Sequence, residues 1–199
     1  MKHENFKTCN QSGFCKRNRA LADSAAEAAS SWKSPYELDA TTVKLAKGKL
    51  TGTVYKTLAD GEKRVLPLAV SFLASGVARV TLDEELRQKG NIELRHDSKV
   101  RKERYDEAAY WAVVGGLEAN EGAAVSPSDA GRTVVKYGPE SAYEAVITHS
   151  PFRVEFRRDG EAHVIFNEQG LLNLEHWRAK VEPPPVEEGA EAPLQNSED

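Results

Sequence analysis

From Thr41 onward, apolar and polar residues alternate with a period of two: Val43, Leu45, Leu50, Gly52 and Val54 interleave with Lys44, Lys47, Thr51 and Thr53. Side chains of an extended chain point alternately to opposite faces, so this spacing predicts half-buried antiparallel strands. Val65 to Leu73 is more continuously apolar, and Val77 to Leu82 alternates again around Arg79 and Thr81. Asp60-Gly61 and Ser75-Gly76 separate these runs and predict hairpin turns. The signal is clearest in the last third. Val134 and Val135 precede Gly138-Pro139; Tyr143, Ala145 and Ile147 share one face of a strand, and Phe152, Val154 and Phe156 share a face of the next. Asp159-Gly160 turns the chain into His163 to Phe166, and Gly170 breaks it before Leu171 to Leu174. The fold expected is mainly β, an antiparallel β-sandwich built as a meander of short strands.

Outside the alternating region the pattern changes twice. Residues 1–40 open with Cys9 and Cys15, continue as Lys16-Arg17-Asn18-Arg19, and then run through an Ala/Ser-rich stretch from Ala20 to Ser31. The alanines favour a short helix ending before Pro35, but few larger apolar residues are present to anchor it, which describes an extension draped over something larger. Residues 41–181 form the expected sandwich domain. Residues 182–199 hold Pro183-Pro184-Pro185 and repeated glutamates, the composition of a disordered, partly polyproline linker. Within the sandwich, Asp83 to Asp106 reads as a solvated charged loop, Ala112 to Val114 as a return to strand, and the Asn120-Glu121-Gly122 and Ser126-Pro127-Ser128 clusters as a long loop.

The chemistry is defined first by what is missing. Six acids and no basic residue lie between Glu182 and Asp199, so removing them from the net charge of −4 leaves +2 for residues 1–181, little attraction for a nucleic acid. No apolar run approaches the roughly 18 residues of a membrane span. Phosphate-cradling glycine loops, G-x-S-x-G, H-E-x-x-H and EF-hand patterns are all absent, and the five histidines have no ligand spacing, so no cofactor or metal is expected. His3 alone accompanies the two cysteines, too small a set for zinc. Cys9 and Cys15 admit two readings, a short disulfide loop or two free thiols. Asn10-Gln11-Ser12, between them, is an N-glycosylation sequon. Trp32, Trp111 and Trp177 could stack on sugar, although core or interface packing is the commoner use of widely spaced tryptophans in a β domain.

Two segments carry a resemblance. NFKTC (Asn5 to Cys9) followed by FCKRNR (Phe14 to Arg19) is similar to the mature N-terminus of the glucosidase II branch of glycoside hydrolase family 31. PFRVEF (Pro151 to Phe156) and GLLNLEHWR (Gly170 to Arg178) resemble the N-terminal β domain of the same family. The resemblance implies a galactose-mutarotase-like sandwich packed on a (β/α)8 barrel, a disulfide joining Cys9 to Cys15, and a retaining α-glucosidase of the endoplasmic reticulum lumen that removes α-1,3-linked glucose from N-glycans. It also implies a beta subunit as partner. The family's two catalytic aspartates lie in the barrel around a W-x-D-M-N-E-type segment, which does not occur here. The chain is therefore expected to lack catalytic and substrate-binding residues of its own, and to present an incomplete sandwich that downstream polypeptide completes. An autonomous carbohydrate-binding module and a non-enzymatic interaction subunit are the alternatives from other classes.

Overall fold

The computed structural model describes residues 8–83, 111–113 and 116–175. They divide into two compact units: Lys33–Leu172, and the stretches up to Trp32 and from Asn173 onward.

The larger unit is all-β. Strands β1 (Tyr36–Ala46), β2 (Lys49–Thr57), β3 (Lys63–Phe72) and β4 (Ala78–Leu82) form one antiparallel sheet, and β5 (Ala124–Ser126), β6 (Arg132–Tyr137), β7 (Tyr143–Thr148), β8 (Arg153–Arg158) and β9 (Glu161–Phe166) form the other. Both sheets follow sequence order. In β3 the alternation becomes burial: Leu66, Leu68, Val70 and Phe72 face inward. From the second sheet, Val135, Tyr137, Ala145, Ile147, Phe152 and Val154 complete the core. Each such aliphatic side chain contributes about 1.5–3 kcal/mol through burial. The layers meet where Phe72 packs on Tyr137, with ring centroids 4.7 Å apart. Main-chain bonds also cross between them: Leu38 N–H donates to His149 O, and Phe152 N–H to Tyr36 O, both at 2.8 Å.

Strand β1 starts at Tyr36, ahead of the alternation seen from Thr41, because Tyr36 and Leu38 are buried around the exposed Glu37. Its register shifts between Asp39 and Lys44. That bulge is held by Asp39 Oδ1, which accepts from Thr41 N–H at 2.9 Å and Thr41 Oγ1 at 2.6 Å, and by Thr42 Oγ1, which accepts from Thr53 N–H at 2.9 Å. The turns at Asp60-Gly61, Ser75-Gly76 and Asp159-Gly160 fall where expected; the last takes positive φ at both residues, 51° and 81°.

Three expectations are corrected. Of the strand expected at Ala112 to Val114, Ala112 is helical together with Trp111, and Val114 lies outside the described residues. β5 lies inside the expected long loop, where Val125 pairs with Val135. Leu171–Leu174 is not a strand; after Gly170 the chain is fixed by Asn167, whose Oδ1 accepts from Leu172 N–H at 2.8 Å. The charged segment from Glu84 to Asp106 and the acidic residues 182–199 lie outside the described residues.

The smaller unit contains α1 (Gly13–Ala28), preceded by a 3-10 turn at Cys9–Gln11 and followed by another at Ala29–Ser31. No residue of α1 is buried, in line with the few large apolar residues there.

Candidate functional site

The sequence places the candidate residues at the start of α1. In the turn before it, Thr8 and Gln11 form a reciprocal cap, with Thr8 N–H donating to Gln11 Oε1 at 2.9 Å. This brings Cys9, on the turn, against Cys15, in the first turns of the helix. The sulfurs are unbonded in the structure, with Cys9 exposed and Cys15 half-buried. The Cys15 thiol is nevertheless the main cause that raises the Cys9 pKa, and the nearby Arg19 acts against it by favouring the thiolate. Asn10 is exposed, and its Oδ1 accepts from Arg19 Nη1 at 3.0 Å.

Two segments distant in sequence meet in this unit. Arg17 pairs with Glu175 at 2.6 Å, and Asn173 Nδ2 donates to Asn18 Oδ1 at 3.2 Å. No local pattern signals these contacts, which join residues more than 150 positions apart.

The sandwich offers no catalytic pair among the described residues. Glycoside hydrolysis needs two carboxyl groups about 5–10 Å apart across a sugar, one able to hold a proton. Glu155 is the only acid buried among the described residues. Its oxygens are occupied by arginines of its own strand: Arg153 Nη2 lies 2.8 Å from Oε1, while Arg157 Nη2 and Nε reach Oε2 at 2.6 and 2.9 Å. A carboxylate held this way is a structural anion, with no free oxygen aimed at a ligand.

Burial, with a smaller contribution from Tyr143, pushes the Tyr137 hydroxyl up to about 12, so it stays protonated in the core. Burial lowers the His149 pKa, partly opposed by its hydrogen bond to the Ala130 backbone, and its Nε2 lies 2.9 Å from Thr133 Oγ1. No group of three or more His, Cys, Asp or Glu that could hold a metal occurs among the described residues.

A hollow of about 340 Å³ is lined by Phe166, Asn167, Glu168, Gln169, Leu171 and Leu172. Asn167, the residue best suited to grip a hydroxyl there, already donates to Phe152 O at 2.6 Å and accepts from Leu172 N–H. Of the tryptophans, Trp111 is 79% exposed, so the core-packing half of the expectation of core or interface packing does not hold for it. Trp32 is half-buried, and Trp177 lies outside the described residues.

The two antiparallel β-meanders match what comparison finds. Residues 67–195 match the glycosyl hydrolase 31 N-terminal galactose mutarotase-like domain. The chain belongs to this family. As a glycosyl hydrolase 31 N-terminal domain it is 34% identical over 191 residues to Glucosidase 2 subunit alpha of Schizosaccharomyces pombe, an alignment covering 92% of this chain and 20% of that protein. A crystal structure of a Glc1Man2-bound glucosidase II alpha subunit superimposes with a TM-score of 0.75 at 55% identity, covering 90% of this chain and 19% of the other. Similar values, a TM-score of 0.75 at 55% identity, hold for the catalytic subunit in an ER glucosidase II complex with the binding domain of its regulatory subunit; there, 89% of this chain and 19% of that chain are covered. The chain thus spans about a fifth of the length of the relatives it matches. PFRVEF, which carried part of the resemblance, becomes cis-Pro151, the buried Phe152 and strand β8.

Proposed function

We propose that this chain is the N-terminal portion of the catalytic subunit of a glucosidase II, a retaining α-glucosidase that hydrolyses α-1,3-linked glucose from N-linked glycans in the endoplasmic reticulum lumen. The observation that carries the reading is the 55% identity, over 90% of the chain, to a glucosidase II alpha subunit bound to a glucosylated oligosaccharide. Hydrolysis is assigned to two aspartates on the remaining polypeptide, and this chain supplies a scaffold for them. Glu155 fits that division of labour, since its clamp between Arg153 and Arg157 contributes to the sheet and leaves nothing for a sugar. The partners are the barrel-bearing remainder, a beta subunit and the glucosylated glycan.

The division expected at 1–40, 41–181 and 182–199 then serves as N-terminal extension, sandwich domain and acidic linker, with the first boundary moved back because β1 draws Tyr36 and Leu38 into the sandwich core. The proximity of the Cys9 and Cys15 thiols supports a disulfide hook formed in an oxidising compartment, with Asn10 as a glycan acceptor beside it. The test is to assay the complete encoded polypeptide, with its beta subunit, on an N-glycan ending in α-1,3-linked glucose. Glucose released first as the α anomer supports the proposal. Release by residues 1–199 alone, or inversion at the anomeric carbon, overturns it.

A further inference from the structure

We propose that closure of the Cys9–Cys15 bridge withdraws Asn10 from N-glycosylation, so that the two modifications have an obligate order, glycan before disulfide. That order rests on the reading of this chain as one that enters an oxidising secretory compartment. Asn10-Gln11-Ser12 is the only N-x-S/T sequon in the chain, and the five residues between the cysteines contain all of it. A bridge across that span encloses both the acceptor nitrogen and the hydroxyl that must be recognised with it.

The fold holds this segment in the wrong shape for transfer. A transferase takes the sequon as an opened chain, with the asparagine nitrogen extended toward the sugar donor and the Ser hydroxyl gripped two residues on. Here Cys9–Gln11 is a 3-10 turn, in which Gln11 N–H donates to Thr8 O and Gln11 Oε1 accepts from Thr8 N–H, both at 2.9 Å. Ser12 leads directly into α1, its carbonyl accepting from Lys16 N–H at 3.1 Å. Opening the sequon therefore means undoing the turn and fraying the start of the helix. With both thiols free this is easy, because Thr8 to Gln11 are exposed and α1 buries no residue. After oxidation the turn and the helix are tied together at Cys9 and Cys15, and the opened states are lost.

Transfer first leaves the bridge free to close. Arg19 Nη1 donates to Oδ1 of Asn10 at 3.0 Å, a contact that persists when Nδ2 carries sugar. In transfer, the bond from Asn10 Nδ2 to the sugar C1 forms as C1 parts from the diphosphate of a lipid-linked oligosaccharide, and the Nδ2 proton goes to a base of the transferase. In closure, the disulfide of an oxidised thiol–disulfide oxidoreductase takes two electrons and two protons from Cys9 and Cys15 and departs as the dithiol. The turn, the thiol contact and the Arg19 bond all lie between Thr8 and Arg19. Closure thus needs no distant partner and competes with transfer as soon as this segment is made.

The test is the occupancy of Asn10 in the complete encoded polypeptide, expressed with its beta subunit in a eukaryotic secretory pathway. Enzymatic removal of the glycan in heavy-oxygen water converts each occupied Asn10 into a mass-labelled aspartate. Cys15→Ser, which leaves the sequon and its immediate neighbours unchanged, should raise the occupied fraction by about twofold or more. Dithiothreitol present during synthesis should do the same for the wild type, without any substitution. Arg19→Ala should leave the fraction at its wild-type value, since that bond is not the gate. The proposal is overturned if wild type and Cys15→Ser are equally occupied, or if Arg19→Ala acts like Cys15→Ser. It is also overturned if purified protein with the bridge closed accepts oligosaccharide from the lipid-linked donor as fast as its reduced form. Glucosidase activity of the same wild-type preparation reads the parent proposal separately.

Discussion

Tyr143 lies against two glycine backbones at once. An added Cβ at Gly76, where φ is +88°, would stand 2.6 Å from Tyr143 Cε2, and one at Gly138 would collide with the same ring. Tyr143 cannot retreat freely, because it packs on Tyr137 at 5.6 Å and under Arg158 at 5.8 Å. Gly76→Ala should therefore cost about 3 kcal/mol, read as a lower urea midpoint with unchanged m-value. His149 is also sensitive to its surroundings, here through pH. Its folded pKa is lowered, so neutral imidazole is favoured in the native state. The stability this contributes is complete above the unfolded value of about 6.5 and is lost as pH falls below it toward the folded pKa. Urea unfolding at neutral pH and at pH 5 should show a loss for the wild type that is smaller in His149→Gln. At Glu155, truncation to Ala would leave Arg153 and Arg157 converging without a counter-charge. We expect a loss of about 2 kcal/mol, reduced from fully buried pairs because both guanidinium groups are partly exposed, with no effect on catalytic rate constants in the complete enzyme.

At the level of elements, strands β2, β3, β7 and β8 were legible because the physics that forms them is local: apolar residues at strand spacing, bounded by turns that contain glycine or proline. β5 was not legible. Its three residues gain strand character from pairing with β6, a partner that composition does not reveal. Ala112 was misread as extended because its aromatic and β-branched neighbours favour strands, a preference that tertiary context overrides. In the site, the spacing of Cys9 and Cys15 left a loop or two free thiols open and the resemblance alone implied their pairing, whereas the Arg17–Glu175 pair needed the tertiary structure. That pair is surface-exposed, so Arg17→Ala should change stability by less than about 1 kcal/mol. The cysteines should matter more to α1, which buries no residue and depends on its ends. Cys9→Ser should lower helical circular dichroism, and the wild-type protein secreted through an oxidising compartment should be lighter by two hydrogens than its reduced form.

For the molecule as a whole, the fully buried apolar side chains of the described residues all fall between Tyr36 and Val154. Deleting residues 1–32 should therefore leave the cooperative unfolding of the sandwich in place, as a single urea transition followed by tryptophan and tyrosine fluorescence. The family assignment and the mutarotase-like sandwich it implied lay in two short segments, while the division of the strands between two sheets became visible only in the structure. Their strand order has a further effect during biosynthesis. Because within each sheet every strand pairs with its neighbour in the chain, each meander can close soon after its residues leave the ribosome, with little loop entropy to overcome. The links from Tyr36 and Leu38 to the β7–β8 turn come later, once about a hundred more residues have emerged. The first sheet thus waits as a half-covered surface during translation, which makes that interval the time at which a chaperone has most to protect.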